Sequence, residues 1–272
     1  ADGSAGLPVD SKAFVPAPLL VSSLQWANAP VGVLSVTEPT GRDDFSDDDQ
    51  LVLAQICEAA AVVVCNQLAT ARSERTNVEL LETLANAIEA RDGYTRGHSE
   101  RVSRLAIAVG QRLGLPGESL GHLHLAARLH DLGKIATPDA ILNKVEPLTE
   151  TEWNIIRRHP ADGVEMLAGA SLVAPALDAI RQHHERWDGM GYPLGAKGEQ
   201  VPLLARIIAV ADSYDAMTSA RPYRAPLDAS EAVRELAAER GKQFDPRCVD
   251  AILTALPGLA RDRTHSPVRQ SV

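Results

Sequence analysis

His183-His184-Glu185-Arg186-Trp187-Asp188-Gly189-Met190-Gly191-Tyr192-Pro193-Leu194-Gly195 sets two adjacent histidines and an acid directly ahead of a glycine-rich, helix-breaking turn. Adjacent imidazoles followed by such punctuation place metal-type ligands at the end of a helix. Gly189 and Gly191 permit turns forbidden to bulkier residues, so the chain can leave the helix right after its ligands. Pro193 stiffens the exit, and Tyr192 offers an aromatic face or a hydroxyl.

Working outward, no strand pattern occurs after Asp92. Helical segments alternate with Gly/Pro-rich loops: His98–Leu113, Glu118–Asp131, Glu150–Arg158, Pro160–Ala168, Pro175–His184, Leu203–Met217, Ser230–Glu239 and Pro246–Leu256. This part of the chain is expected to be all-α. Ahead of it, Phe14–Val21 and Val31–Val36 have the β-branched content and Pro/Gly/Ser flanks of strands. Ser46 is the expected N-cap of a helix that opens on three Asp residues and runs to about Ala90. Within it Val78, Leu81, Ala85 and Ile88 keep a three-four spacing, as a coiled-coil seam would, or as a helix packing on its own domain would. The tail from Leu259 is polar and is expected to be unstructured.

The chain has 272 residues, 45% of them hydrophobic, which suffices for a substantial core and makes neither disorder nor a disulfide scaffold the default reading. A net charge of −9 argues against a polynucleotide binder, though a local basic pocket remains compatible with it. Cys57, Cys65 and Cys248 form no C-x-x-C pair and fit small buried hydrophobes in a reducing compartment. The densest apolar run, Ala59–Cys65, is short, so no membrane span and a cytoplasmic location are expected.

The histidines sort by neighbourhood. His98 lies in GHSERV, His130 in LHDLGK, His159 in RRHPADG, and His183 and His184 in the opening stretch; Asp131 follows His130, and Asp212 lies in VADSYDAMTS. Five imidazoles and two carboxylates form a mixed N/O set suited to first-row transition metals. Seven ligands exceed what one ion with an open position needs and suit two ions, with Asp131 as the candidate bridge. Such a pair supports in-line hydrolysis of a phosphate ester. Lys134, three residues past Asp131, is placed to steady developing negative charge, and Asp215 to orient the nucleophilic water or a ligand imidazole. Arg221 and Arg224 are spaced to meet phosphate oxygens. His122, His124 and His265 lack motif context and are read as ordinary.

The His130-Asp131 pair with Asp212 resembles the HD phosphohydrolase superfamily. HHERWDGMGYP, LLARIIAVADSYDAMTSARPYR and KQFDP narrow the resemblance to its HD-GYP subfamily, over about Val78 to Leu259. The resemblance implies a mainly α, HD-type domain that hydrolyses the bacterial messenger cyclic di-GMP to pGpG and/or GMP, by a metal-activated hydroxide at a binuclear site. It implies the metal ligands His98, His130, Asp131, His159, His183, His184 and Asp212, with Asp131, Lys134 and Asp215 as catalytic groups. Tyr192, Arg221 and Arg224 fall where the family contacts substrate. The implied metals are two divalent ions, iron or manganese; some members add a third through a glutamate where Tyr94 stands here. Residues 1–72 resemble a truncated α/β GAF sensory domain, 73–95 a linking helix of a homodimer, 96–258 the phosphodiesterase and 259–272 a disordered tail. A silent module that binds cyclic di-GMP or a partner such as a diguanylate cyclase, and a phosphodiesterase of cyclic GMP-AMP, are the competing readings.

Overall fold

The computed structural model describes residues 18–37, 43–92, 97–220 and 225–263. The chain divides into two compact units, 1–76 and 77–272.

In the first unit, β1 (Leu19–Trp26) and β2 (Ala29–Thr37) form an antiparallel hairpin. Its two-residue turn, Ala27-Asn28, has both φ angles positive, the geometry whose twist matches that of paired strands. Phe14–Ala17, expected as the start of the first strand, lie outside the described residues, and the strand continues past the expected Val21 to Trp26. The helix α1 (Asp47–Arg91) opens as expected: Ser46 Oγ accepts from Asp49 N, and the Asp49 carboxylate accepts from Ser46 N at 2.7 Å. Leu53, Cys57 and Ala61 of α1 bury with Leu24 of the hairpin.

One expectation about α1 is corrected. The helix is long and apolar enough to cross a membrane by length and composition, with 17% of its most apolar 18-residue window buried. Single polar residues such as Glu58 break the apolar run without lowering its average far. Of the two readings kept for the Leu81/Ala85/Ile88 stripe, packing on its own domain is the one seen. Ala85 and Ile88 are buried, and Leu81 packs beside them, in the core of the second unit.

The second unit is helical: α2 (His98–Arg112), α3 (Gly117–Leu129), α4 (Asp139–Leu142), α5 (Glu150–Ile156), α6 (His159–Leu167), α7 (Leu177–Gln182), α8 (Leu203–Thr218), α9 (Ala229–Ala238) and α10 (Pro246–Arg263). Val102, Leu105, Ala106 and Val109 recur at three-four spacing on α2, and their stripe meets Leu123, Ala126 and Ala127 of α3. The core continues through Ile207, Ile208 and Ala211 of α8 and Val249 and Ile252 of α10. The sequence pattern does not mark the single turn α4, which has no side-chain cap. It also ends the last helix too early. α10 runs through Pro257 to Arg263, so the tail expected from Leu259 begins as helix, and 264–272 lie outside the described residues.

Candidate active site

Four of the five imidazoles sit at or just beyond helix ends, and helix ends leave carbonyls without helical partners. His130 caps α3, His183 follows α7, and His159 opens α6 directly behind α5. Each uses a free carbonyl three residues back. The Nδ1 atoms of His130, His159 and His183 lie 2.8, 2.8 and 2.7 Å from the carbonyl oxygens of Ala127, Ile156 and Ile180. A carbonyl only accepts, so Nδ1 carries the proton and Nε2 presents its lone pair. His98, the first residue of α2, is held in the same sense by Asp215 Oδ2 at 2.8 Å from Nδ1.

These Nε2 atoms converge on two carboxylates. His98 Nε2 lies 3.2 Å from Asp212 Oδ1 and 3.9 Å from Asp131 Oδ2. His130 Nε2 is 3.4 Å from Asp131 Oδ2, and His159 Nε2 is 3.3 Å from Asp131 Oδ1. The Nε2 atoms of His159 and His183 face each other at 3.3 Å. A cation between or beside two facing lone pairs would relieve their repulsion, and this spacing suits two nitrogens of one ion bound at about 2.1 Å. Three overlapping sets could hold a metal: His159, His183 and His184; His98, His130 and Asp212; His130, Asp131 and His183. The donor set therefore fits a metal centre. All seven expected ligands are brought together, and Asp131 turns one oxygen toward each side.

Burial and charge divide the imidazoles. Burial opposes protonation of His98, but hydrogen bonds it donates to Asp212 and Asp215 hold its pKa up at about 10. Burial and the neighbouring His159 push His184 down to about 4, and burial with His184 also lowers His183. Burial disfavours the Asp131 carboxylate, yet Lys134, His130 and His159 keep it ionised well below the ordinary range. Lys134 Nζ is 2.8 Å from Asp131 Oδ2 and 3.6 Å from Asp92 Oδ2; burial opposes its charge and these carboxylates restore it.

Asp215 does not face the point where the Nε2 atoms converge. It lies behind His98 and is fixed by Arg101, whose Nε is 2.6 Å from Oδ1. Of its two expected roles, the geometry favours orienting the imidazole over orienting water. Tyr192 stacks on His184 with ring centroids 4.8 Å apart, and burial and the two site carboxylates keep its phenol protonated. Tyr94, Arg221 and Arg224 lie outside the described residues.

The opening stretch is organised by residues that its motif does not advertise. Glu185, fully packed, accepts from the backbone N–H groups of Leu194, Gly195 and Ala196 at 2.6 to 3.1 Å. Trp187 N and Asp188 N donate to the carbonyls of Gln243 and Lys242, tying the loop to the KQFDP segment. Gly189 has φ +82°, and Gly191 lies where a Cβ would strike the backbone of residues 184–186. The end of α1 also shapes the site. The buried Glu89 carboxylate accepts from Gly97 N at 2.7 Å and Ser99 N at 2.5 Å, on either side of His98. Arg91 donates to the carbonyls of Ile135 and Thr137, just past Lys134. No local spacing signals these contacts.

A family model described as "HD domain" matches residues 82–248. The chain is similar to a cyclic di-GMP phosphodiesterase response regulator of Xanthomonas campestris pv. campestris, 50% identical over 66% of this chain and 48% of that protein. A cyclic di-GMP phosphodiesterase of Pseudomonas aeruginosa is 45% identical over 62% of this chain and 41% of its own length. The chain thus spans less than half the length of these two relatives. A crystal structure of a cyclic GMP-AMP specific phosphodiesterase of V. cholerae shares the fold, with a TM-score of 0.53 and 20% identity over 71% of this chain and 54% of that one.

Proposed function

The chain belongs to the HD domain family, and on that premise we propose that it is a metal-dependent phosphodiesterase opening cyclic di-GMP to pGpG and/or GMP. The observation that carries this reading is the disposition of Asp131, whose Oδ2 faces His98 and His130 while its Oδ1 faces His159. On this reading His98, His130 and Asp212 would hold one ion, His159, His183 and His184 a second, and Asp131 would bridge them. Iron or manganese suits the mixed nitrogen and oxygen donors. When bound, such a pair lowers the pKa of a water and neutralises phosphoryl oxygens.

The chain's own groups complete the chemistry. Asp215 holds the His98 ring so that its Nε2 points inward. Lys134, kept charged beside Asp131, faces the negative charge that grows as the phosphodiester bond breaks. The Tyr192 phenol stays protonated and serves as a hydrogen-bond donor to substrate. Arg221 and Arg224 are assigned to the phosphates by their spacing. The similarity to two cyclic di-GMP phosphodiesterases supports the choice of substrate. The hairpin and the first turns of α1 fit the closing part of a GAF-like sensory unit.

The test is turnover by protein loaded anaerobically with iron(II) or manganese(II), with cyclic di-GMP and cyclic GMP-AMP assayed side by side. Faster release of pGpG or GMP from cyclic di-GMP is expected. Intact cyclic di-GMP in a sample whose metal content is full would refute the proposal.

A further inference from the structure

Trp153, Arg157 and Tyr192 form a ladder that ends on His184. Tyr192 lies nearly parallel to that imidazole, 28° between planes. The Arg157 guanidinium carbon is 5.9 Å from the Tyr192 ring centroid and 5.8 Å from that of Trp153, within cation–π range of both. Trp153 and Arg157 are four residues apart at the end of α5, the same turn whose Ile156 carbonyl holds His159. A rigid helix end therefore fixes both the ladder and a member of the metal-ligating set.

Core packing does not account for this arrangement. Trp153 is 45% exposed, Arg157 is exposed, and Arg157 has no carboxylate partner among the described residues. An exposed indole and a cation, on a chain of net charge −9, stand together only a tyrosine ring away from the candidate metal centre. A flat π face and a guanidinium fork are the two groups that bind a nucleobase and a phosphate.

We propose that Trp153 and Arg157 form a nucleotide subsite: a purine base of the cyclic dinucleotide stacks on the indole, and the guanidinium takes the phosphodiester that is not being cleaved. This rests on the reading that a cyclic dinucleotide is the substrate. A ring held at both ends is longer than a single phosphodiester, and the ladder supplies its second anchor.

The experiment compares the parent chain with Trp153→Ala, Trp153→Phe and Arg157→Gln, measuring kcat, KM, metal content and Tm. Trp153→Ala should raise KM for cyclic di-GMP about tenfold, the equivalent of about 1.4 kcal/mol and within the range of one base stacked on an aromatic ring. Its kcat should stay within about twofold, with metal content and Tm unchanged, and Trp153→Phe should recover most of the affinity. Arg157→Gln should raise KM comparably. KM within twofold of the parent in Trp153→Ala, or a loss of metal or Tm that accounts for the whole effect, overturns the proposal. If the parent chain does not cleave cyclic di-GMP, the functional reading fails. The subsite is then judged by calorimetric binding of cyclic di-GMP, where equal affinity of parent and Trp153→Ala, or no binding to either, overturns it.

Discussion

Replacing Gly191 by alanine tests whether the glycine-rich turn sets the site or merely follows it. A Cβ at this position would lie 2.5 Å from Glu185 Cα and 2.6 Å from the His184 carbonyl oxygen, and closer still to Arg186 N. All three are backbone atoms, so no side-chain rotation relieves the overlap. Ordinary carbon contacts need about 3.5–4 Å, so the two backbone segments must separate by about 1 Å. The displaced segments carry His184 and Tyr192, which are joined here by Tyr192 N donating to His184 O at 3.3 Å and by their stacked rings. A misplacement of about 1 Å costs on the order of 100-fold in rate, and overpacking of this kind costs about 1–3 kcal/mol of stability. Gly189→Ala is the matched control. There the cost is a left-handed φ of +82°, with the nearest contact the Lys197 side chain at 3.2 Å, so about 1–2 kcal/mol is lost and turnover changes little. The assay pairs cyclic di-GMP turnover with thermal denaturation for both variants. Gly191→Ala with parental turnover and parental Tm would refute the close-approach reasoning.

Asp131→Ala removes the carboxylate that faces both halves of the site, and both metal content and turnover should collapse; full metal occupancy would contradict the bridging assignment. Glu89→Ala leaves the N–H groups of Gly97 and the buried Ser99 without their acceptor. It should destabilise the fold by about 2–3 kcal/mol and weaken metal affinity about 10- to 100-fold, whereas unaltered metal titration would limit Glu89 to a stabilising role. In chelator-stripped protein, His98, with its pKa at about 10, should be imidazolium at pH 7, and His184, at about 4, neutral. The raised His98 contributes stability that is present in full below about pH 6.5 and is lost as pH climbs through about 10. The depressed His184 subtracts stability as pH falls from about 6.5 toward 4. NMR titration of the ring signals checks both, and two histidines titrating together near 6.5 would contradict the pairing of His98 with Asp212 and Asp215.

The candidate ligand set was legible because its members fall in five separate short motifs, four of them at helix ends and the fifth, around Asp212, within α8. The geometry that aims them was not. The free last-turn carbonyls of Ala127, Ile156 and Ile180 hold three rings, and no sequence pattern encodes a carbonyl. The roles of Glu89 and Glu185 were not legible for a related reason, since each carboxylate satisfies backbone N–H groups eight to eleven residues away. The α1 stripe illustrates a different limit. Three-four spacing states that one face is apolar, and only the fold shows that Ala85 and Ile88 use that face within their own unit. The last helix runs past its expected end at Leu256, carrying Pro257 inside α10.

Metal stoichiometry and turnover measured on one anaerobically purified sample bear most directly on the two-ion phosphodiesterase. Two iron or manganese ions per chain, with cyclic di-GMP hydrolysis rising in proportion to occupancy, are the expected result. A single ion per chain at full activity, or two ions with cyclic di-GMP left intact, would contradict it.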